Sequence, residues 1–326
     1  ALAGASVQES RDPKAERLDL AGIVTLSIAV FALTYYITQA PDMGFASPAA
    51  FTILALSITA FAAFVFAEQR SARPMFDFSV FRIRAFSGAI VGCVGMNFSY
   101  WPFMIYLPIY FQGVLGYDST KTGFFLLAYT LPFLAMTPVA ERLLQRCGAR
   151  IAVPLGLATI GAGFVLMAVA GGAGADGWSM LPGTLLAGVG IGLTNTPVTN
   201  TTTASVSSDR AGMASGIDVS ARLIALAINI AVMGRLLQAG VFSSLAGALA
   251  GADLSALQAQ AARIAAGDLD ATDALAHAAL AHGFRIVLFY GGISVIALAA
   301  LSYAIFGRAA ARRPACKLQA QESSCV

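Results

Sequence analysis

Two residues of opposite charge, Asp218 and Arg222, stand four apart in the otherwise apolar stretch Met213–Leu236. That spacing puts them on one helix face, within reach of each other. At about 1.5 Å per residue, Arg222 lies roughly 13 Å into the stretch, too deep to reach an aqueous surface easily. Ionisable groups at such depth in an apolar layer are costly and by default mark a pathway or a partner. The pair is either a charge switch, answering to protonation of Asp218 or to a cationic substrate, or a fixed ion pair tying two helices together.

Two further clusters carry polar groups into apolar stretches. Asn97, Ser99, Tyr100, Trp101, Pro102 and Tyr106 crowd into Phe86–Leu107, and Asn195, Thr196, Pro197 and Asn200 into the region around Val198. Aromatic faces attract cations, so the first cluster suits a cavity for lipophilic cations. Tyr and Trp also collect at membrane interfaces, a reading that competes most for Tyr106. In the second cluster a proline loosens the backbone beside two amides. The candidate substrate-cavity residues are therefore Asn97, Tyr100, Trp101, Tyr106, Asn195 and Asn200, with Asn229 and Tyr290 as weaker additions. Gly188, Gly190 and Gly192 sit mid-stretch, where the G-x-x-x-G spacing of Gly188 and Gly192 fits close helix packing rather than a phosphate loop, which needs a preceding strand.

Nothing argues for an enzyme. The two histidines, His277 and His282, are five apart with no metal-ligand partners at useful spacing, and there is no G-x-S-x-G and no pair of carboxylates inside an apolar stretch. Cys93, Cys147, Cys316 and Cys325 form no Cys-x-x-Cys or zinc spacing and are expected as free thiols. No cofactor, metal or nucleic acid is expected.

The elements that must position these residues are set by apolar length. Hydrophobic residues make up 58% of the 326 and charged residues 11%, with mean hydropathy +0.75; soluble domains carry about 25% charged residues. A helix needs about 20 apolar residues to cross a bilayer core. Eight stretches qualify: Leu20–Thr38, Ala49–Ala67, Phe86–Leu107, Thr122–Val139, Ile151–Ala170, Met180–Val198, Met213–Leu236 and Phe284–Phe306. The fold class expected is an all-α integral membrane protein of about eight transmembrane helices.

Basic residues in the connecting segments fall on alternate sides. Arg11, Lys14, Arg17, Arg70, Arg73, Arg82, Arg84, Arg142, Arg146, Arg150, Arg210, Arg308, Arg312, Arg313 and Lys317 share one side, against Lys121 and Arg263 on the other. Positive residues favour the cytoplasm, which predicts a multi-pass protein of the inner or plasma membrane with both termini cytoplasmic. Residues 1–19 and 307–326 are then cytoplasmic, and 68–85 is a basic amphipathic linker suited to the membrane face. Residues 238–283 form an Ala-rich extracytoplasmic loop whose apolar spacing predicts one or two short amphipathic helices. The chain opens on Ala1 within a polar segment, as a fragment of a longer protein would.

Four stretches resemble the fourteen-helix drug:proton antiporter family of the major facilitator superfamily. They are Arg17–Gly22; Glu68–Phe86, with Arg73-Pro74-Met75-Phe76-Asp77; Tyr106–Gln112; and Asp209–Gly216 followed by Arg222. The resemblance implies two extra central helices over 20–67 and a C-terminal six-helix bundle over 86–306, with the spans Phe86–Leu107 and Met180–Val198 lining a central cavity. Glu141–Arg150 is similar to a degenerate cytoplasmic gating motif: Leu143, Arg146, Gly148 and Arg150 match, while Glu141 replaces a glycine and Gln145 an aspartate. A gating role for Arg146 and Arg150 rests on that likeness alone. The family's first six helices have no counterpart in this sequence. The implied function is the C-terminal part of a proton-coupled exporter of amphipathic compounds, inactive without its N-terminal bundle. The alternative is a half-transporter or binding module that pairs with another chain. The partners so implied are a lipophilic or cationic small molecule, protons, the bilayer and the missing bundle.

Overall fold

The computed structural model describes residues 20–43, 47–70, 78–171, 176–249, 253–268 and 273–307. The segment 1–19, residues 71–77 of the linker, the tail from 308, and Cys316 and Cys325 lie outside the described residues. So do Arg73–Asp77 of the family-like stretches.

The described chain is helical: α1 (Leu20–Met43), α2 (Pro48–Arg70), a 3-10 turn (Phe78–Arg82), α3 (Arg84–Asn97), α4 (Tyr100–Ile109) leading into a π turn (Tyr110–Val114), α5 (Ser119–Cys147), α6 (Ala149–Ala170), α7 (Gly177–Ala204), α8 (Ala211–Ala248), α9 (Leu254–Ala265) and α10 (Ala274–Phe306). Seven helical segments are long and apolar enough to cross a membrane, α3 and α4 with the π turn counting as one. The eighth expected span is α7. Its 28 residues suffice in length, but glycine, threonine and asparagine keep it below the apolarity of the others. Large apolar side chains such as Phe31, Leu134 and Val169 are exposed around the outside while polar groups such as Thr194 and Asn229 are buried, the arrangement expected of a bundle facing lipid.

The third span is broken at Phe98–Ser99 for a local reason. Pro102 has no N–H to donate to the Phe98 carbonyl one turn earlier, and Ser99 leaves helical geometry at φ −140°, ψ −72°. Asn229 of α8 supplies the missing donor, its Nδ2 reaching the Phe98 oxygen at 2.7 Å. Neighbouring helices satisfy freed carbonyls in this way inside membranes.

Glycines bring α7 against two neighbours at once. A Cβ on Gly188 would stand 2.5 Å from the Tyr129 carbonyl of α5, and one on Gly190 would stand 2.5 Å from the Ile160 nitrogen of α6. The G-x-x-x-G pair therefore serves packing, since Gly192 meets α5 one turn further along. α6 is the centre of the bundle, packed on α7 and α10, whereas α1 and α2 pack on each other and reach the rest mainly through α1 and α8.

The segment expected as a loop over 238–283 is largely helical. Leu237, Val241 and Leu245 recur at intervals of four and are buried, so α8 continues to Ala248; α10 begins at Ala274. At about 1.5 Å per residue the 38 residues of α8 outrun a hydrocarbon core of about 30 Å. Between them α9 buries Leu257, Ala261 and Ile264. Asp253 caps α9, and its hydrogen bonds from Ser255 hold the carboxyl below the usual carboxylate range.

Candidate functional site

Residues 195 and 199 of α7, and 218 and 222 of α8, are each four apart and so each pair shares a helix face. The two faces meet. Arg222 donates from Nε to Asp218 Oδ2 at 3.0 Å, from Nη1 to Asn195 Oδ1 at 2.8 Å and from Nη2 to Thr199 Oγ1 at 2.9 Å. One guanidinium thus ties α8 to α7 through two side-chain acceptors on α7 while also holding Asp218 of its own helix. Asp218 is nearly enclosed, its side chain 5% exposed against 21% for Arg222. Its second oxygen, Oδ1, is buried and accepts no hydrogen bond.

The network continues toward the end of α5. Asn200 Nδ2 and Gln145 Nε2 donate to the two oxygens of Glu141, each at 3.0 Å. Beneath Asp218, the Cys93 thiol donates to the Asp218 carbonyl at 3.5 Å, and Asn97 donates to the carbonyl of Cys93 at 2.9 Å.

Of the sequence-predicted residues, the structure joins Asp218, Arg222 and Asn195 directly and sets Asn200 one turn beyond. The third-span residues are placed otherwise. Tyr100 is buried and stacks on Tyr129 at 4.3 Å between ring centroids. Each tyrosine donates its hydroxyl to the other's carbonyl at 2.9 Å. Trp101 stands edge-on to Tyr100 at 5.5 Å and is half-buried. Tyr106 donates to the Ile230 carbonyl of α8 at 2.7 Å. Arg146 is exposed at the end of α5. Arg150 turns to α10, with Nη2 donating to the Tyr303 hydroxyl at 3.0 Å.

Thr199, Glu141, Gln145, Cys93 and Tyr129 take part from outside the predicted site set. Thr199 was legible as the residue one turn from Asn195. Glu141 had been noticed only as a departure from a glycine, and Tyr129 carried no signal beyond a polar-tipped aromatic in an apolar stretch. Asn229 and Tyr290, the weaker candidates, are joined: the Tyr290 hydroxyl donates to Asn229 Oδ1 at 2.7 Å.

Comparison with known proteins gives this arrangement a family context. The Major Facilitator Superfamily profile matches residues 20–230. The chain is 31% identical over 239 residues to the multidrug resistance protein Stp of Mycobacterium tuberculosis, covering 73% of this chain and 44% of that protein. It is 28% identical over 243 residues to the quinolone resistance protein NorB of Staphylococcus aureus, covering 72% of this chain and 50% of that protein. The chain spans about half the length of these relatives.

Proposed function

Since the chain belongs to the Major Facilitator Superfamily, we propose that it is the C-terminal portion of a secondary transporter that exports amphipathic organic compounds in exchange for protons. The relatives bear drug-resistance names, which supports the substrate class. The observation that carries the coupling is the buried, unbonded Oδ1 of Asp218 beside a guanidinium that bridges two helices.

Asp218 would take up a proton at Oδ1 and release Arg222 Nε. Arg222 would then keep only its two α7 acceptors, Asn195 and Thr199, and the α7–α8 contact would be free to rearrange. Binding of a cationic compound near Asn195 would favour the reverse step, because a second positive charge beside Arg222 stabilises the ionised carboxylate. Proton and substrate would thus compete for one charge state, which is what antiport requires. Asn97, Tyr100, Trp101, Tyr106, Asn195 and Asn200 would meet the substrate in a state other than the one described, since Tyr100 and Tyr106 here spend their hydroxyls on other helices. Arg146, exposed at the end of α5, would act at the cytoplasmic gate with Arg150. The arginine-bearing end would face the cytoplasm, and alternating access would come from rocking against an N-terminal bundle.

The test is accumulation of a lipophilic cation in cells lacking their main efflux pumps, with this bundle joined to its N-terminal half. Asp218→Asn should abolish proton-driven efflux at unchanged protein level. Loss of folded protein with Asp218→Asn would instead make the pair structural, and unchanged efflux would remove Asp218 from the coupling.

A further inference from the structure

The end of the bundle where α3 and α6 begin and α10 finishes carries cationic groups that no carboxylate among the described residues neutralises. Arg150 lies over the Tyr303 ring, its guanidinium carbon 4.8 Å from the centroid, and donates from Nη2 to the Tyr303 hydroxyl. Its Nε is enclosed without a hydrogen-bond partner. Tyr303, accepting from Arg150, keeps its own proton to donate, and the side chain is 48% exposed. One turn further along, Arg84 of α3 stands against the C-cap of α10: a Cβ on Gly307 would meet its Nη1 at 2.9 Å. The α3 and α6 N-caps, Ile83 and Gly148, make no side-chain capping bond, so two positive helix ends add to two arginines. By contrast α5, α7, α9 and α10 are each capped by an aspartate.

A second feature leads away from these groups into the apolar zone. Arg150, Pro154, Leu157 and Gly161 of α6 share the face turned to α10, where a Cβ on Gly161 would strike Ile296. Beside that seam the exposed positions include Ala158 and Ala162 on α6 and Ala297 and Ala300 on α10, with Ile293 and Ile296 exposed next to them. On α10 the small side chains at 297 and 300 leave a shallow trough between Ile293 and Tyr303, the partner of Arg150.

We propose that this seam binds one anionic phospholipid, its phosphate held by Arg150 and the Tyr303 hydroxyl with Arg84 alongside, and one acyl chain lying in the alanine trough. Basic pockets between membrane helices on the cytoplasmic side suit such head groups. The phosphate supplies the negative charge that no described carboxylate offers Arg150, and the trough supplies what a free anion would not use. The lipid would pin α6 to α10 from outside, away from the Arg222 network, and so does not depend on whether the chain transports.

Native mass spectrometry of the purified protein, after exposure to phosphatidylglycerol or to phosphatidylcholine of the same chains, tests this. The wild type should retain one phosphatidylglycerol in preference to phosphatidylcholine. Arg150→Gln should retain it about fivefold less, the effect of one basic residue at a lipid surface. Ala297→Phe, which fills the trough and leaves the guanidinium in place, should lose the lipid too, and inorganic phosphate should not displace it. Equal retention by wild type and Arg150→Gln would overturn the proposal. So would retention by Ala297→Phe or displacement by inorganic phosphate, either of which would mean an anion site without a lipid. Should Arg150→Gln fail to fold, Tyr303→Phe and Ala297→Phe decide the matter by the same readout.

Discussion

Around the break in the third span the polar side chains bond to main chain. Asn229 reaches Phe98, Tyr100 and Tyr129 reach each other's carbonyls, and Tyr106 reaches Ile230. Around Arg222 they bond to other side chains: Asp218, Asn195 and Thr199, with Asn200, Gln145 and Glu141 beyond. A carbonyl cannot move unless its helix moves, so the first kind of bond holds backbones at a set separation. A side-chain acceptor can rotate or take a proton, so the second kind can be exchanged without unfolding a helix. Two polar clusters of similar composition are thus bonded differently, and the partner class tells them apart.

The comparison breaks most directly at Asn229. Asn229→Ala leaves the Phe98 carbonyl without the donor that Pro102 withholds, and it strips the Tyr290 hydroxyl of its acceptor. Two half-buried polar groups then each lose a partner, and a loss of about 2 kcal/mol is expected. Asn195→Ala removes one of three acceptors from a guanidinium that is partly exposed and should cost about 1 kcal/mol or less. Unfolding of both variants in detergent by denaturant titration checks the ranking. Equal losses would mean that the Arg222 cluster is as structural as the other.

Next in size is the tyrosine clasp. Tyr129→Phe keeps the stacked ring and removes one donor to the Tyr100 carbonyl. That carbonyl keeps its place in the first turn of α4, so the expected cost is about 1 kcal/mol. If Tyr100 and Tyr129 part during transport, Tyr129→Phe will also raise the turnover of the assembled exporter. A stability loss with unchanged turnover would keep the clasp static.

Much of this fold was legible because apolar length reports crossing helices directly. The limits of that signal are equally physical. α7 gives up apolar residues for glycines that admit α5 and α6 and for the amides and hydroxyls that hold Arg222, so its hydropathy understates a helix of crossing length. α8 and α10 outrun their apolar cores, since alternation of alanine with leucine and valine continues a helix past the point where hydropathy falls. Within the site, Asp218 with Arg222 was legible because charge in an apolar run is costly. Their link to Asn195 was not, because nothing in one chain's spacing says which face of α7 meets which face of α8. Tyr100 is ambiguous for a related reason. A polar-tipped aromatic is the same residue whether it lines a cavity or locks two helices, and its partner in this structure, the Tyr129 carbonyl, is not written in its spacing.

The smallest effect expected is also the sharpest on the side-chain cluster. Thr199→Val is nearly isosteric and removes the Oγ1 that accepts from Arg222 Nη2 at 2.9 Å. That nitrogen lies on the exposed side of the guanidinium, where water can replace the hydroxyl, so stability should fall by about 0.5 kcal/mol or less. Thr199 Oγ1 also donates to the Asn195 carbonyl at 3.1 Å, a bond within one helix turn whose loss is minor. Yet Thr199 is one of only two acceptors left to Arg222 when Asp218 is protonated. Removing it should destabilise the protonated state more than the ionised one, because the ionised carboxylate still holds Nε. The pH at which efflux is half-maximal should therefore shift downward, as protonation then needs a higher proton concentration. A shift in stability with no shift in that pH would make Thr199 part of the scaffold, and a shift upward would mean that Arg222 leaves α7 rather than Asp218 when the proton arrives.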